Sequence, residues 1–272
     1  MKKQTPSHKL ALLGLSALFS SPFCSAALVA NWTMDDADVS GNTVSDVAGS
    51  NDGTLTNGAT TGAPSPFGQA ANFDGGANNG DNPFIDLSAA VSNLALPSGT
   101  IAAWIKPETQ AGDVLTIFSV SNASIGTGEA RFFVSNGGGF GTGNLTYGVR
   151  GASTNGNVVS SGIDLFDGAW HHVAVTVDSL NAVTLYIDGT ANGTGTADFL
   201  DLPGANSVSI GRNKDNTAGG GQWFYHGLID EVQIHDEPLS AAQISSLASV
   251  PEPSSALLMS LSALALLIRH RR

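Results

Sequence analysis

The chain has 272 residues and a net charge of −12. Six of its eleven Lys and Arg residues lie within residues 1–27 and 249–272, so the central segment has five basic residues against 22 acidic ones. This balance argues against nucleic acid and anionic lipid as partners of the central segment, because either would require a basic face. The 33 glycines and the scarcity of Lys and Glu predict a β-rich protein with long polar loops.

The amino terminus has the layout of a secretory signal peptide. Lys2, Lys3 and Lys9 precede the apolar stretch 10–19, and small residues follow at 25–27. We therefore predict a signal peptide over residues 1–27 and export of the remainder. The only cysteine of the chain lies inside this segment, at position 24, so disulfides are not expected to stabilise the mature protein.

Residues 28–248 predict one all-β domain. Apolar residues recur with period two over short stretches that are separated by clusters of Gly, Asn, Asp and Pro, which is typical of a β-sandwich. The length is sufficient for a single full hydrophobic core. The predicted strands are 28–34, 70–73, 84–87, 100–106, 114–120, 131–134, 145–150, 170–178, 182–188, 207–211 and 227–235.

Two of these strands also predict their own pairing. Residues 171–178 and 182–188 each place three aliphatic side chains on one face, and only a short linker joins them, so we expect an antiparallel pair. Asp188-Gly189 then signals a hairpin turn. After the last strand, Ser240 is a predicted helix cap, with Ile244 and Leu247 facing inward.

The carboxyl terminus has three parts in order. Pro251-Glu252-Pro253 is too rigid to continue a helix or a sheet, residues 256–268 are apolar, and a basic cluster ends the chain. As a helix the apolar run is about 20 Å long, which is short of the ~30 Å hydrocarbon core of a bilayer. The segment 249–272 resembles the PEP-CTERM sorting signal of Gram-negative bacteria, which implies an exosortase-type processing system and temporary association with the inner membrane through a hydrophobic helix.

Several stretches of the central segment occur together in the order of a known pattern, namely 31–35, 46–55, 71–75, 102–106, 168–175, 185–189, 210–212, 227–232 and 239–240. With these stretches the segment resembles a laminin-G-like jelly roll of the concanavalin A-like lectin/glucanase class. The resemblance implies two antiparallel sheets, and its family includes carbohydrate binders, calcium-dependent adhesion modules and glycosidases. Fold alone therefore does not decide function.

Asp230 is the strongest candidate for a metal ligand. On its predicted strand it shares one face with three aliphatic residues, where an unpaired carboxylate would be costly. Asp35, Asp46 and Asp52 offer further oxygen ligands, and Ca²⁺ accepts six to eight oxygens in adaptable geometry. We expect one structural Ca²⁺ between the first and last strands. The alternative is that hydrogen bonds alone satisfy Asp230.

Aromatic rings and amides in Gly-rich loops are candidates for ligand binding. Sugars stack on exposed aromatic rings, and Trp223 and Tyr225 directly follow the loop at 219–222. Asn78 and Asn79, in a second Gly-rich loop, offer hydrogen bonds to the same kind of ligand. The alternative is that the rings pack against the edge of the last hairpin and that the loop is solvated.

His171 and His172 are expected to be structural. Neighbouring residues of a regular strand point to opposite faces, so the two rings cannot bind one zinc ion. In the laminin-G-like resemblance, Trp170 and one of these histidines pack at a sheet edge.

Recognisable catalytic motifs are absent from the sequence. A retaining glycosidase needs two carboxylates about 5 to 5.5 Å apart. Laminarinase-like relatives carry them on one strand as Glu-x-Asp-x-x-Glu or a close variant, and no acids of this sequence have the spacing of that motif. We therefore expect an exported, non-catalytic protein of the cell envelope, cell surface or extracellular matrix that binds polysaccharide or mediates adhesion. Two alternatives are a polysaccharide-degrading glycoside hydrolase or lyase, and a structural matrix protein that binds protein partners.

Overall fold

Two antiparallel sheets stack face to face in the computed structural model, which describes residues 26–73, 82–109, 114–122, 128–213 and 223–249. This arrangement confirms the predicted all-β jelly-roll sandwich. The signal peptide predicted over 1–27 lies outside these residues except for its last two, and so do Asn78, Asn79, the Pro251-Glu252-Pro253 motif and the carboxyl-terminal hydrophobic segment.

The first sheet, sheet A, has eight strands, and strands are numbered here along the chain. Strand β1 shares one edge of β19 with β6, so the first and last strands of the domain are neighbours. In spatial order sheet A contains β15 (Thr190–Thr196), β14 (Ala182–Ile187), β13 (His171–Val177), β8 (Gly99–Pro107), β19 (Gly227–His235), β6 (Gly68–Asn72) and β5 (Thr60–Ser65), with β1 (Leu28–Trp32) paired to β19.

The second sheet, sheet B, has nine strands. A separate two-stranded ribbon is formed by β17 (Arg212–Asn213) and β18 (Trp223–Phe224). In spatial order sheet B contains β12 (Gly156–Val159), β11 (Thr142–Arg150), β10 (Glu129–Asn136), β9 (Val114–Ser121), β16 (Ser207–Ile210), β7 (Phe84–Asp86), β4 (Gly53–Thr56), β3 (Thr43–Val44) and β2 (Val39–Ser40).

One hydrophobic core fills the space between the sheets. Along most strands every second side chain enters this core, as the sequence periodicity predicts. Trp32, Phe132 and Tyr147 are fully buried there, and burial of an apolar side chain of this size contributes roughly 1.5–3 kcal/mol. The indole Nε1 of Trp32 donates to the carbonyl of Asn51 at 2.9 Å, so its one polar atom is satisfied.

The alternation of side chains is interrupted by β-bulges in β9 and β19. In β19 the bulge at Glu231 places Asp230 on the outer face of the sheet while Val232 and Ile234 enter the core, so the prediction that these residues share one face was wrong.

Helix α1 (Ala241–Leu247) covers the outer face of sheet A. Ser240 caps it in a capping box with Gln243, and the buried side chain of Ile244 packs against Ala102, Ala174 and Tyr186. The predicted cap and the predicted inward position of Ile244 are thus confirmed. The helix closes a small second core on the side of sheet A that faces away from sheet B.

Every strand predicted from the sequence is present, although most boundaries shift by one to three residues. Strands β13 and β14 pair antiparallel as predicted. The turn that follows β14 has positive φ angles at Asp188 (49°) and Gly189 (76°), the backbone conformation of a tight hairpin turn. Among the strands that the sequence did not indicate, β5 and β15 are largely exposed and carry little apolar alternation.

Candidate functional site

One row of residues crosses the outer face of sheet B without an apolar side chain. Outward-facing side chains of seven neighbouring strands lie in register, and none of them is aliphatic or aromatic. Because a sheet needs only one apolar face to build a sandwich, the core does not require apolar side chains in this row. From one edge to the other the row contains Thr54, Asp86, Ser209, Ser119, Arg131, Gly148 and Asn157.

The ribbon β17–β18 is fastened to the middle of this face. The hydroxyls of Ser119 and Ser209 both donate to the carbonyl of Arg212, at 2.7 and 3.2 Å. The Arg212 guanidinium carbon lies 3.3 Å from the ring centroid of Phe84, another outward-facing residue of sheet B. Burial lowers the pKa of Arg212 to about 10, so this side chain still carries its positive charge at neutral pH.

A buried carboxylate organises the arginines next to the ribbon. Glu129 is 2% exposed, and its Oε1 lies 3.0 Å from Nε of Arg131 and 3.4 Å from Nη2 of Arg150. The first contact lies outside hydrogen-bond angles, so it acts as an ion pair. Glu129 Oε2 accepts from Nδ2 of Asn213 at 3.2 Å, which links the carboxylate to the ribbon. The three charged side chains together carry a net charge of +1.

A cleft of about 380 Å³ opens beside these arginines. Its volume is within the range of about 300–1,000 Å³ that is typical of ligand pockets. The side chain of Arg150 is half exposed and reaches solvent here, whereas the side chain of Arg131 is only 11% exposed. The described lining consists of Arg131, Phe140, Gly148, Val149, Arg150, Asn155, Gly156 and Asn157.

Gly148 keeps part of the floor of this cleft open. A Cβ atom built on Gly148 would lie 2.5 Å from Oδ1 of Asn157 and 3.6 Å from the ring of Phe133. The first distance is shorter than real contacts allow, so any side chain at position 148 would displace the Asn157 amide. The glycine thereby fixes both the depth of the cleft and the position of one of its polar walls.

Of the predicted ligand-binding residues, the structure brings Trp223 next to the cleft. Its partly exposed ring lies under the guanidinium of Arg131, with 4.2 Å between the guanidinium carbon and the ring centroid. Tyr225 requires a correction, because its ring is fully buried, packs edge-on against Phe73 and donates its hydroxyl to the carbonyl of Leu228. A ring in that position has no face to offer a sugar.

The four acids predicted to bind calcium do not assemble into one site. Within the described ranges, no group of three or more His, Cys, Asp or Glu side chains is placed to hold a metal ion. Asp46 already accepts four hydrogen bonds, from the backbone N–H groups of Asn31, Ala48 and Asn51 and from the Asn51 amide, at 2.8–3.0 Å. Asp52 accepts from the backbone N–H of Asp46 at 2.9 Å. These two acids therefore tie loop 46–52 to β1.

The other two predicted ligands are also held by hydrogen bonds. Asp35 accepts from the backbone N–H of Gln69 at 2.7 Å. Asp230 is 1% exposed and accepts from the hydroxyl of Ser65 and from the backbone N–H of Glu231. The pKa of Asp230 is raised to about 7, mainly by burial and also by the nearby charges of Glu231 and Asp35, while the hydrogen bonds from Ser65 and from the Glu231 backbone oppose the rise. The hydrogen-bonded alternative for Asp230 thus fits this arrangement better than the cation.

The two adjacent histidines are held by different neighbours. His171 lies between Asp188 and Asp167, at 2.9 and 3.1 Å, and the hydrogen bond to Asp188 is the main reason that its pKa is raised. His172 packs its ring against Trp104 at a centroid distance of 5.5 Å, and burial lowers its pKa to about 4. Together the two histidines connect the first residues of β13 to neighbouring side chains on both faces of the sheet.

The architecture defines a class: a two-sheet jelly roll with a cleft on one outer face. The chain belongs to the concanavalin A-like lectin/glucanases superfamily, whose laminin-G-like sequence model matches residues 79–245. The PEP-CTERM protein-sorting motif matches residues 249–272, which confirms the predicted sorting signal and indicates export with envelope association. Among the residues that the structure describes, no helix is long and apolar enough to cross a membrane.

Solved structures with this fold include carbohydrate-binding modules. The CBM40 module of the Ruminococcus gnavus IT-sialidase, bound to α2,3-sialyllactose, has a TM-score of 0.53 at 18% identity over 61% of this chain and 92% of the module. Domain 4 of the extracellular GH43 arabinanase AbnA of Geobacillus stearothermophilus, in complex with arabinotriose, has a TM-score of 0.56 at 24% identity over 82% of this chain and 99% of that domain. At these identities the similarity shows the fold alone.

A curated relative matches a shorter stretch. The rat (Rattus norvegicus) sushi, von Willebrand factor type A, EGF and pentraxin domain-containing protein 1 is 35% identical over 91 residues. This stretch is 30% of the present chain but 2% of the relative. The similarity therefore concerns a small part of that protein.

Proposed function

We propose that this protein is an exported, non-catalytic carbohydrate-binding module that acts at the cell envelope or in the extracellular matrix after processing by an exosortase-type system. The observation that carries the proposal is the cleft on the outer face of sheet B. It combines an aromatic ring, two asparagines and two arginines, which is the mixture of flat apolar and convergent polar groups that sugar binding uses.

The structural neighbours support the ligand class. Two modules with the same two-sheet fold were solved with sialyllactose and arabinotriose, which are both oligosaccharides. The sorting motif supports the location, because it marks proteins destined for the cell envelope.

The composition of the cleft supports binding without turnover. None of its described lining residues is Asp or Glu, whereas a glycosidase of the usual kind places a pair of carboxylates at the bond that it cleaves. Glu129 lies behind the arginines, almost fully buried and engaged by Arg131, Arg150 and Asn213. Hydrolysis or elimination by this cleft is therefore not part of the proposal.

The test is binding of the purified protein to a panel of neutral and acidic polysaccharides by affinity electrophoresis, followed by titration calorimetry on any ligand found. Asn157→Ala removes a wall amide, and we expect it to weaken binding about fivefold or more. Asn42→Ala is the matched control, because Asn42 is exposed in the turn between β2 and β3 and should leave binding unchanged. Absence of binding across the panel, or equal loss in both variants, would refute the proposal, and release of reducing sugar would favour an enzyme.

A further inference from the structure

The arginines of the protein have an uneven distribution. The chain has six, of which three are in its last four residues, and the other three are Arg131, Arg150 and Arg212. All three lie on the outer face of sheet B, around the cleft and the ribbon. In a central segment with 22 acids and five bases, this face concentrates most of the positive charge.

From this distribution we infer that the cleft recognises an acidic sugar, that is, one with a singly charged carboxylate or sulfate ester. The inference rests on the proposed function and narrows its ligand class. Arg presents a planar fork of donors that matches a carboxylate or sulfate in two parallel hydrogen bonds, which a neutral hydroxyl cannot accept in the same way.

The charge of the cluster fits an acid that carries one negative charge. Glu129 neutralises one of the two cleft arginines, so the trio has a net charge of +1 at the base of the cleft. The buried carboxylate also fixes both guanidinium groups from below, so less side-chain freedom is lost on binding. Arg150, whose side chain is 50% exposed, is the residue placed to touch the ligand, while Arg131 contributes charge from its place over Trp223.

The acidic remainder of the protein does not prevent this interaction. At physiological salt the Debye length is about 8 Å, so exposed acids elsewhere on the molecule are largely screened from the cleft. The buried and half-buried arginines inside it act at shorter range. An acidic polymer would thus be repelled by most of the surface and accepted at one place, which favours specific over diffuse binding.

The experiment uses two polymer pairs that differ only in their acid groups, namely polygalacturonate with its fully methyl-esterified form, and dextran sulfate with dextran. We expect the purified protein to bind at least one acidic member at least tenfold more tightly than its neutral partner. The two pairs distinguish a carboxylate from a sulfate ester. Raising the salt from 0.05 to 0.5 M should weaken binding of the acidic member several-fold.

Three variants show whether the acidic polymer binds at the cleft. Arg150→Gln should reduce binding of the acidic polymer about tenfold, and Arg150→Lys should restore part of it because the charge is kept. The matched control is Lys106→Gln, which also removes one positive charge, but from sheet A, and should leave binding of the acidic polymer unchanged. Melting temperatures confirm that each variant is folded. Equal binding of the neutral polymers would overturn the acidic-ligand inference and leave the proposed function intact, whereas silence toward all four polymers and the wider panel would refute both.

Discussion

The outer faces of the two sheets differ in what they contact. On sheet A the outward-facing Ala102, Ala174 and Tyr186 are covered by helix α1, and the Trp104 ring packs against Phe67 at a centroid distance of 4.9 Å. On sheet B the outward-facing residues are mostly polar, and part of the face remains open as a cleft. One face is closed by the protein itself, and the other remains available to a ligand. Substitutions on the covered face of sheet A should therefore change stability and leave binding unchanged, whereas substitutions that line the cleft on sheet B should change binding.

The largest expected effect is from Trp104→Ala. Trp104 is 6% exposed and contacts Phe67 and His172, so its truncation leaves a large cavity on the outer face of sheet A. We expect a loss of about 3–5 kcal/mol in the free energy of unfolding, measured by urea denaturation. Glycan affinity of the folded variant should match that of the wild type. Loss of binding in a folded variant would contradict the proposal that the outer face of sheet A has no part in ligand binding.

Asp230→Asn should change the pH dependence of stability. The pKa of Asp230 in the folded protein, about 7, exceeds the value of about 3.9 in an unfolded chain, so its contribution is fully present below pH 4 and is lost as the pH rises through 7. Asn stays neutral and can still contact Ser65. At pH 8 we expect the variant to be more stable than the wild type by about 2 kcal/mol, with little difference at pH 4.

Urea denaturation at pH 4, 6 and 8 checks this prediction. Asp201→Asn removes an equal charge from an exposed loop position and should leave the pH dependence unchanged. Parallel pH profiles for wild type and Asp230→Asn would show that the pKa of Asp230 is the same in the folded and unfolded protein, which would contradict the prediction.

Thr116→Val should stabilise the protein, although it removes a polar atom from sheet B. The Thr116 hydroxyl is fully buried without a hydrogen-bond partner, and Val has the same branched shape. Removal of a buried unsatisfied hydroxyl should add about 1 kcal/mol to the free energy of unfolding. Ser119→Ala is the useful contrast, because that hydroxyl is bonded to the ribbon and its loss should destabilise. A destabilised Thr116→Val would mean that the hydroxyl has a partner in solution.

His171→Gln tests a smaller, pH-dependent contribution. Because its two aspartates raise the pKa of His171, its stabilising effect is complete below the unfolded value of about 6.5 and disappears as the pH rises through the folded value. Both partners are about half exposed, so solvent screening limits the effect to about 0.5–1 kcal/mol. Thermal unfolding at pH 5.5 and pH 9 should show a variant deficit that shrinks at the higher pH.

Chelation should have the smallest effect. The four acids predicted to bind calcium do not converge, and Asp46 has its acceptor capacity filled by protein donors. We therefore expect the melting temperature in excess chelator to stay within about 1 °C of that in millimolar calcium. A larger rise with calcium would restore the cation prediction and indicate ligands other than this set.

The sequence was sufficient to predict the strands in which aliphatic residues occur at every second position. It was not sufficient to predict strands that form only because a neighbouring strand supplies their hydrogen-bond partners. Strands β13 and β14 carry aliphatic residues at every second position, so their period and pairing could be predicted. Strand β15 reads TANGTGT, and nothing in that stretch predicts a strand. It forms because the tight turn at Asp188-Gly189 returns the chain beside β14, whose backbone groups then supply its partners.

The candidate binding face on sheet B was predicted less well, for a related reason. A signal was present, since Arg131 and Arg150 lie in predicted strands of a segment with few bases. Their proximity, however, depends on the register of β10 on β11, which places Arg131 opposite Gly148 and Arg150 opposite Glu129. Sequence alternation says which face a residue occupies but not which residue lies beside it on the next strand. Tyr225 shows the converse, since an aromatic residue after a glycine-rich loop can belong to the core.

Helix α1 also determines how the module is presented. Residue 249 follows this helix on the outer side of sheet A, and the sorting segment continues the chain from that point. Since two stacked sheets are about 10 Å apart, the arginine-lined cleft lies across the full thickness of the sandwich from the place where the tail departs. A molecule tethered by that tail would turn its cleft toward the surroundings and its helix toward the tether, so a polymer could be captured without competing with the attachment point for space.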